Sequence, residues 1–289
     1  MPHDLQAISD PFRRLVAIME RLLGPGGCPW DRKQTHESLI PYLIEETYEV
    51  KEEIEKQEWG NVRGELGDVA LQVVFHAALA QQAGRFNIDD VMNAICEKLI
   101  RRHPHVFGKL AEGDEISVAA VLDNWEKIKE TERGGKTSSA ANDWRSVLEG
   151  VPDSMPALQR AQRLQEKAAH VGFDWDKIED VWDKVEEELG ELREALQSGD
   201  AAKFDHELGD LLFALVNLAR FRKTWAEFAL NNAAKRFQRR FRHLEETARR
   251  EGRQLETMTL QEMDALWDEA KLQEAEQADA STNRAPENE

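Results

Sequence analysis

Apolar residues recur at steps of three and four along most of the chain, which places them on one face of an α-helix. The first such run extends from Leu5 to Leu22 and stops at the segment PGGCPWD. No segment alternates apolar and polar residues as a half-buried strand does, so the pattern predicts an all-α protein. The same spacing predicts further helices over roughly 37–56, 62–83, 88–102, 117–133, 156–169, 177–197, 201–222, 224–251 and 259–275.

Two segments lack this pattern, and the sequences on either side of the first one resemble each other. Residues 133–155 are rich in Gly, Ser, Ala and Pro, which is typical of a linker, and the polar tail 276–289 is expected to be disordered. GCPWD, EETYE, ELGDVALQVV and NWEKIK return in the same order as GFDWD, EELGE, ELGDLLFALV and LWDEAK. We therefore expect two tandem copies of one helical-bundle module, at 1–132 and 156–275, joined by a flexible linker.

Both copies carry the same arrangement of carboxylates, Glu-Glu-x-x-Glu followed after fifteen residues by Glu-x-x-Asp. Residues three or four apart are neighbours on a helix, so in the second copy Glu188 and Glu191 share a face, as do Glu207 and Asp210. The short turn QSGDAAK predicts that the two helices pack as an antiparallel hairpin, which brings these four acids together at one end. Their equivalents in the first copy are Glu46, Glu49, Glu65 and Asp68.

Clustered carboxylates repel one another by ~4 kcal/mol for a close pair at an effective dielectric constant near 20. Raised pKa values relieve this repulsion, as does a hard divalent cation such as Mg²⁺, or Mn²⁺ in its place. A solvated acidic face is a third interpretation. It is less favoured because the pattern occurs twice and because Leu211–Ala219, which follows Asp210, is apolar on nearly all sides and is predicted to be buried.

Cationic side chains accompany the acids in the second copy only. Lys184 and Lys203 each precede an acid pair by four residues on the same helix face, whereas Tyr42 and Asn61 occupy the equivalent places in the first copy. Each lysine alone could form an ordinary helical ion pair, but both together suggest an anionic ligand such as a polyphosphate. Further candidates for contacts with such a ligand are His206, Asn217, Arg236, Arg240 and Trp267, of which Trp267 could equally be a core residue.

Composition narrows the classes of ligand. Lys and Arg total 38 and Asp and Glu total 56, a net charge of −18, which argues against general binding to nucleic acid or anionic membranes. Cys28 and Cys96 provide neither a disulfide framework nor a zinc cluster. No histidine follows a glutamate by three residues, which disfavours a di-iron carboxylate bundle. Without a signal segment or a membrane span, the expected location is the cytoplasm.

The doubled carboxylate motif resembles that of the MazG nucleoside triphosphate pyrophosphohydrolases, of the all-α NTP pyrophosphatase superfamily. The similarity covers about residues 10–275 and includes CPWD, EETYEV, GELGD, RRHPHVF, GFDW, ELGDLLF and RRF in that order. The resemblance implies Mg²⁺-dependent hydrolysis of nucleoside triphosphates to monophosphate and pyrophosphate. It also implies a homodimer, activity chiefly in the C-terminal copy, and a house-cleaning or regulatory role. A pyrophosphatase of the same superfamily that prefers a modified or deoxy nucleotide fits the motifs as well.

The same resemblance suggests roles for the residues of the second copy. The implied metal ligands are Glu188, Glu191, Glu207 and Asp210, and the four acids of the first copy form a second candidate site. The implied nucleotide contacts are Lys184, Glu187, Lys203, Arg236, Arg240 and Trp267. Glu187 would orient or deprotonate a water molecule, and Lys184 and Lys203 would stabilise charge on the leaving group. The alternative is a non-catalytic helical dimer that senses nucleotide and binds a regulatory protein through its first copy.

Overall fold

The computed structural model describes residues 5–108 and 146–282, and between these ranges residues 117, 120, 121, 124, 125, 128 and 132. This described part contains helices and no strands, as the sequence pattern predicts. None of its helices is both long and apolar enough to cross a membrane. The principal helices, α1 to α10, are Pro11–Leu23, His36–Lys56, Trp59–Gln82, Ile88–Arg102, Pro104–Phe107, Ala157–His170, Ile178–Ser198, Ala201–Phe221, Ala226–Arg250 and Leu260–Thr282.

The first helix is shorter than its apolar spacing indicates. A separate 3-10 turn, Leu5–Ala7, comes first, and α1 begins only at Pro11. The reason is Asp10, whose carboxylate accepts two backbone N–H groups of the first turn at 2.8 and 3.2 Å and so caps the helix. The helix predicted at 117–133 lies mostly outside the described residues.

The chain divides into two compact units, Met1–Ala141 and Asn142–Glu289, which we name the N-terminal and C-terminal modules. The division falls within the segment 133–155 that we predicted to be the linker. At the other end of the C-terminal module, α10 continues to Thr282, past the point where we expected disorder to begin. The rest of that tail, 283–289, lies outside the described part of the chain.

The end of the predicted linker is attached to the C-terminal module. The amino group of Lys167 on α6 donates to the backbone oxygens of Val147 and Glu149, at 3.2 and 2.8 Å. Arg160 of the same helix pairs with Asp153. This part of the segment is therefore held by side chains of α6, which its Gly- and Pro-rich sequence did not indicate.

The N-terminal module is built around α3, which contacts α1, α2 and α4. Val74 and Phe75 of α3 pack with Met19 of α1 and Leu39 of α2, and each of these side chains is at most 3% exposed. This core holds α2 and α3 side by side, so the acids of the first copy lie on adjacent helices.

In the C-terminal module, α7 and α8 form the predicted hairpin. Gly199 turns the chain between them with a φ of +72°, a conformation that favours glycine. Asp200 then caps α8 by accepting the backbone N–H groups of Ala202 and Lys203, at 3.0 and 3.1 Å. The turn residues QSGDAAK therefore stop one helix and start the next, which sets the acids of the second copy side by side.

Helix α8 is apolar nearly all round, but it is not buried on all sides as we predicted. Ala214 and Val216 are buried, whereas Leu208, Leu212 and Leu215 are 37, 44 and 42% exposed. The reason is that α6, α7 and α9 contact α8 and cover only part of its circumference. Since the three exposed leucines lie at steps of four and three, they form one apolar stripe, which we name the α8 face.

Candidate functional site

Three carboxylates of the C-terminal module meet between α7 and α8. Glu188 and Glu191 on α7 and Glu207 on α8 each offer one oxygen, and these oxygens lie within 4.8 Å of one another. Glu188 is 5% exposed and Glu207 is 9% exposed, while Glu191 is open to solvent. We name these three residues the C-terminal acid cluster. It contains three of the four acids predicted to bind a metal.

Within the C-terminal acid cluster, one atom lacks a partner. The Oε2 atom of Glu188 is buried and accepts no hydrogen bond from any residue that the structure describes. A buried carboxylate oxygen without a donor is unfavourable, and such groups in native proteins are usually satisfied by a hydrogen bond or an ion. Hard oxygen donors at this spacing fit a divalent cation such as Mg²⁺, which would supply the missing contact.

Asp210, the fourth predicted ligand, belongs to an overlapping group. Its Oδ2 atom lies 3.1 Å from Nδ1 of His206, and the ligand atoms of His206, Glu207 and Asp210 also lie within 4.8 Å of one another. Glu207 is common to both groups. The structure thus connects all four predicted ligands through Glu207, and it places His206 beside the acids.

The two lysines that the sequence presents as equivalent differ in the structure. The amino nitrogen of Lys184 lies 2.7 Å from Glu188 Oε1 and 2.9 Å from Glu187 Oε1. Hydrogen bonds to Glu188 and then to Glu187 raise the pKa of Lys184. Lys203 is exposed, and its amino group forms no ion pair with a residue in the described ranges. Lys184 is therefore a counter-ion inside the cluster, whereas Lys203 remains open to a ligand.

The cluster carries more negative charge than Lys184 balances. Burial raises the pKa of Glu191, and the charges of Glu207 and Glu188 raise it further, against a smaller opposing effect of Lys184. A carboxylate whose pKa is raised by its neighbours reports repulsion within the group. This is the electrostatic situation that a bound cation relieves.

The N-terminal module repeats the three-carboxylate arrangement. Glu46, Glu49 and Glu65 have oxygens within 4.8 Å of one another, at positions 142 residues before those of the C-terminal acid cluster. Burial raises the pKa values of Glu46 and Glu65, as do the neighbouring acids, including Asp68. Asp68 lies outside the 4.8 Å group, so three of the four acids predicted for the second site come together.

The residues that replace the lysines in the N-terminal module have other contacts. Tyr42 packs edge-on against Trp30 with ring centres 6.0 Å apart. The amide nitrogen of Asn61 donates to Glu53 Oε2 at 2.7 Å. The acids of this module are thus retained while both cationic positions are used for local structure.

The predicted nucleotide contacts on α9 and α10 form a second cluster. The guanidinium of Arg240 lies 5.8 Å from the ring centre of Trp267, which also contacts Phe237 at 5.1 Å. Arg236 is exposed and makes no ion pair within the part of the chain that the structure describes. None of these residues forms an ion pair or ring contact with the described carboxylates of α7 and α8.

Two networks in the C-terminal module escaped the sequence analysis. Asn217 is 3% exposed, and its amide oxygen accepts from Arg220 Nε at 2.8 Å, so it needs no ligand to satisfy that atom. Arg220 also pairs with Asp174 of the GFDWD segment, at 3.0 Å. In the other network, Glu274 accepts a hydrogen bond from Arg240 Nε at 2.8 Å. The repeat offered a signal for Glu274, because Glu132 lies 142 residues earlier.

Comparison with known proteins identifies the family of this chain. The profile of the MazG nucleotide pyrophosphohydrolase domain matches it twice, at residues 34–107 and 177–246, so each match contains one of the acid arrangements. The nucleoside triphosphate pyrophosphohydrolase/pyrophosphatase MazG of Thermotoga maritima is 47% identical over 260 residues, covering 90% of this chain and 95% of that protein. The nucleoside triphosphate pyrophosphohydrolase of Escherichia coli K12 is 46% identical over 266 residues, covering 90% and 97%. Since these matches extend over both modules, the chain belongs to the MazG family of nucleotide pyrophosphohydrolases.

Proposed function

We propose that the C-terminal module hydrolyses nucleoside triphosphates at the α–β bond, releasing nucleoside monophosphate and pyrophosphate, with Mg²⁺ or Mn²⁺ as the cofactor. The observation that carries this proposal is the buried, unpartnered Oε2 atom of Glu188 within a group of three carboxylates. The names of the relatives from T. maritima and E. coli support the substrate class and the reaction.

The residues of the C-terminal acid cluster suit a cation that also binds phosphate. Glu188, Glu191 and Glu207 would hold it, with Asp210 reached through the shared Glu207. When bound, Mg²⁺ neutralises charge on phosphate oxygens and makes a coordinated water more acidic. A net charge of −18 therefore does not oppose the binding of a polyphosphate at this place.

The neighbouring side chains supply the other parts of the chemistry. Glu187 is adjacent to the ligands, and Lys184 holds its Oε1 atom at 2.9 Å, so we assign it to orienting a water molecule and accepting its proton. Attack of that water on the α-phosphorus would release pyrophosphate. The exposed amino group of Lys203 and the exposed guanidinium of Arg236 are free to stabilise the charge that develops on the leaving group.

The exposed α8 face supports a homodimer. Leu208, Leu212 and Leu215 form an apolar stripe on the helix that also carries Glu207 and Asp210. An apolar stripe on a helix is usually covered by another element. We propose that a second copy of this chain covers it, that the protein acts in the cytoplasm on free nucleotides, and that it controls the composition of the nucleotide pool.

A second candidate function is nucleotide sensing without hydrolysis. It is favoured by the N-terminal module, which retains its acids but has Tyr42 and Asn61 in place of the two lysines. A module of this kind could bind a cation and serve as a docking surface for a regulatory protein. Product analysis separates the two functions.

The test is incubation with mixed nucleoside triphosphates and Mg²⁺, followed by separate measurement of pyrophosphate and orthophosphate. Release of pyrophosphate supports the proposal, orthophosphate indicates cleavage of a different bond, and neither product favours the sensor. Glu188→Gln with Glu191→Gln should abolish the release, whereas the matched pair Glu46→Gln with Glu49→Gln in the N-terminal module should leave most of it. A double variant in the C-terminal acid cluster that retains the parent rate contradicts the assignment.

A further inference from the structure

In each module, one glutamate holds two consecutive arginines of a preceding helix. In the C-terminal module, Glu274 of α10 accepts from Arg240 Nε at 2.8 Å and lies 3.2 Å from Arg239 Nη2. In the N-terminal module, Glu132 accepts from Arg101 Nε at 2.7 Å and from Arg102 Nη2 at 2.6 Å. The two glutamates are 142 residues apart, the offset of the acid clusters, so the same device occurs at the same place in both copies.

The arginines are not in the same register. Arg239 and Arg240 lie 138 residues after Arg101 and Arg102, so the pair of the C-terminal module sits about one helical turn earlier relative to the repeat. The equivalent acid therefore grips a different turn of the helix in each module. A contact that served only to fasten the last helix would have no need of this shift.

The two contacts also use the guanidinium differently. Glu132 takes both Nε and the terminal Nη2 atom of Arg102, at 3.2 and 2.6 Å, which closes that side of the fork. Glu274 takes only Nε of Arg240. Both terminal nitrogens of Arg240 are left without a hydrogen-bond partner in the described part of the chain. Terminal guanidinium nitrogens are the ones that form parallel hydrogen bonds to a phosphate.

Arg240 is further restrained by an aromatic ring. Its guanidinium carbon lies 5.8 Å from the centre of the Trp267 ring, within the range of a cation–π contact. Arg240 is thus held along its Nε edge by Glu274 and on one face by Trp267. An arginine restrained in this way loses less rotational freedom when it binds a ligand.

We propose that Glu274 is a positioning residue, which aims the terminal nitrogens of Arg240 at the phosphates of the bound nucleotide. This inference rests on the proposed function, because it takes the ligand to be a nucleotide. The opposite interpretation, that Glu274 blocks Arg240, would require the acid to occupy the terminal nitrogens. Burial alone would raise the pKa of Glu274, but Arg240 and Arg239 hold it below the ordinary value, so the acid remains charged at neutral pH.

The experiment compares Glu274→Gln with Glu132→Gln in the full-length protein. Both variants remove one charge from an acid that holds two arginines, so a general effect on folding should be similar in the two. We expect Glu274→Gln to raise the KM for a nucleoside triphosphate about tenfold, as expected for loss of a charge-assisted contact, with little change in kcat. Glu132→Gln should change neither constant, and Glu274→Asp should recover part of the affinity.

Binding of a non-hydrolysable triphosphate analogue with Mg²⁺, measured by calorimetry, makes the inference independent of turnover. Weaker binding by Glu274→Gln than by Glu132→Gln supports positioning, even if the parent protein releases no pyrophosphate and the proposed reaction fails. Unchanged or tighter binding by Glu274→Gln, in a protein that does release pyrophosphate, overturns positioning and leaves the proposed function intact. A parent protein that neither binds the analogue nor releases pyrophosphate overturns both.

Discussion

Replacing Lys184 by methionine removes the internal counter-ion of the C-terminal acid cluster while keeping the length of the side chain. The amino nitrogen of Lys184 lies 2.7 Å from Glu188 Oε1, and the two side chains are 37 and 7% exposed. At an effective dielectric constant near 20, the attraction at this distance is about 6 kcal/mol. Solvent screens the lysine and its desolvation opposes the gain, so the net contribution is much smaller. We expect the module to lose about 2 kcal/mol of stability in the presence of a chelator.

The informative part of this prediction is its dependence on Mg²⁺. Without Lys184, the cluster is more negative, so a cation should bind to it more tightly and replace the missing charge. A ligand present at about 100 times its Kd stabilises the folded state by about 2.7 kcal/mol. Saturating Mg²⁺ should therefore reduce the deficit of Lys184→Met to less than about 1 kcal/mol.

The assay is hydrogen exchange measured by mass spectrometry on peptides of α7 and α8, because exchange reports local stability in a protein with two modules. The control is Arg163→Met, which removes an ion pair with Glu166 at 2.7 Å on α6 of the same module. Its effect should be equal with chelator and with Mg²⁺. If Lys184→Met shows the same deficit under both conditions, the acid cluster does not take a cation and the reasoning is wrong.

Three further predictions address other parts of the protein. Asp174→Asn breaks the pair with Arg220 and should lower the urea midpoint of the C-terminal module by the equivalent of about 1–3 kcal/mol, with unchanged Mg²⁺ affinity; a loss of affinity would contradict a purely structural role. Hydrogen bonds from the paired arginines lower the pKa of Glu132 to about 2 from 4.5, so its stabilisation is present above pH 4.5 and is lost as the pH falls towards 2; Glu132→Gln should remove this pH dependence of N-terminal unfolding, and an unaltered profile would refute it. Leu212→Asp with Leu215→Asp should convert a dimer into monomers in sedimentation velocity, whereas a persisting dimer would show that another surface forms the interface.

The fold was largely predictable because helices leave a strong period in the sequence. The hairpin of α7 and α8 follows from the spacing of its apolar residues and from a turn with Gly199 and Asp200 at the positions that those residues favour. The start of α1 was missed because a three-residue apolar step continues through Asp10, whose side chain caps the helix instead of extending it. Periodicity does not distinguish a cap from a helical position when both carry a suitable residue.

The candidate site was predictable where function depends on spacing within a helix, and less so where it depends on contacts between helices. Glu188 and Lys184 are four residues apart, so their ion pair follows from helical geometry. Lys203 has the same spacing from Glu207 but forms no such pair, because its side chain turns to solvent. Glu274 reaches Arg240 across two helices, and only comparison of the repeats would have indicated it. The metal-binding and nucleotide-binding roles themselves stay predictions.

Direct measurement of Mn²⁺ binding to the full-length protein, by titration calorimetry or by loss of the free-ion signal in electron paramagnetic resonance, tests the central claim. The account predicts that the parent protein binds Mn²⁺ and that Mg²⁺ competes for the same sites. Glu188→Gln with Glu191→Gln should remove the sites of the C-terminal module and leave only those of the N-terminal module. Equal binding by the parent protein and this double variant, or no binding by either, would contradict it.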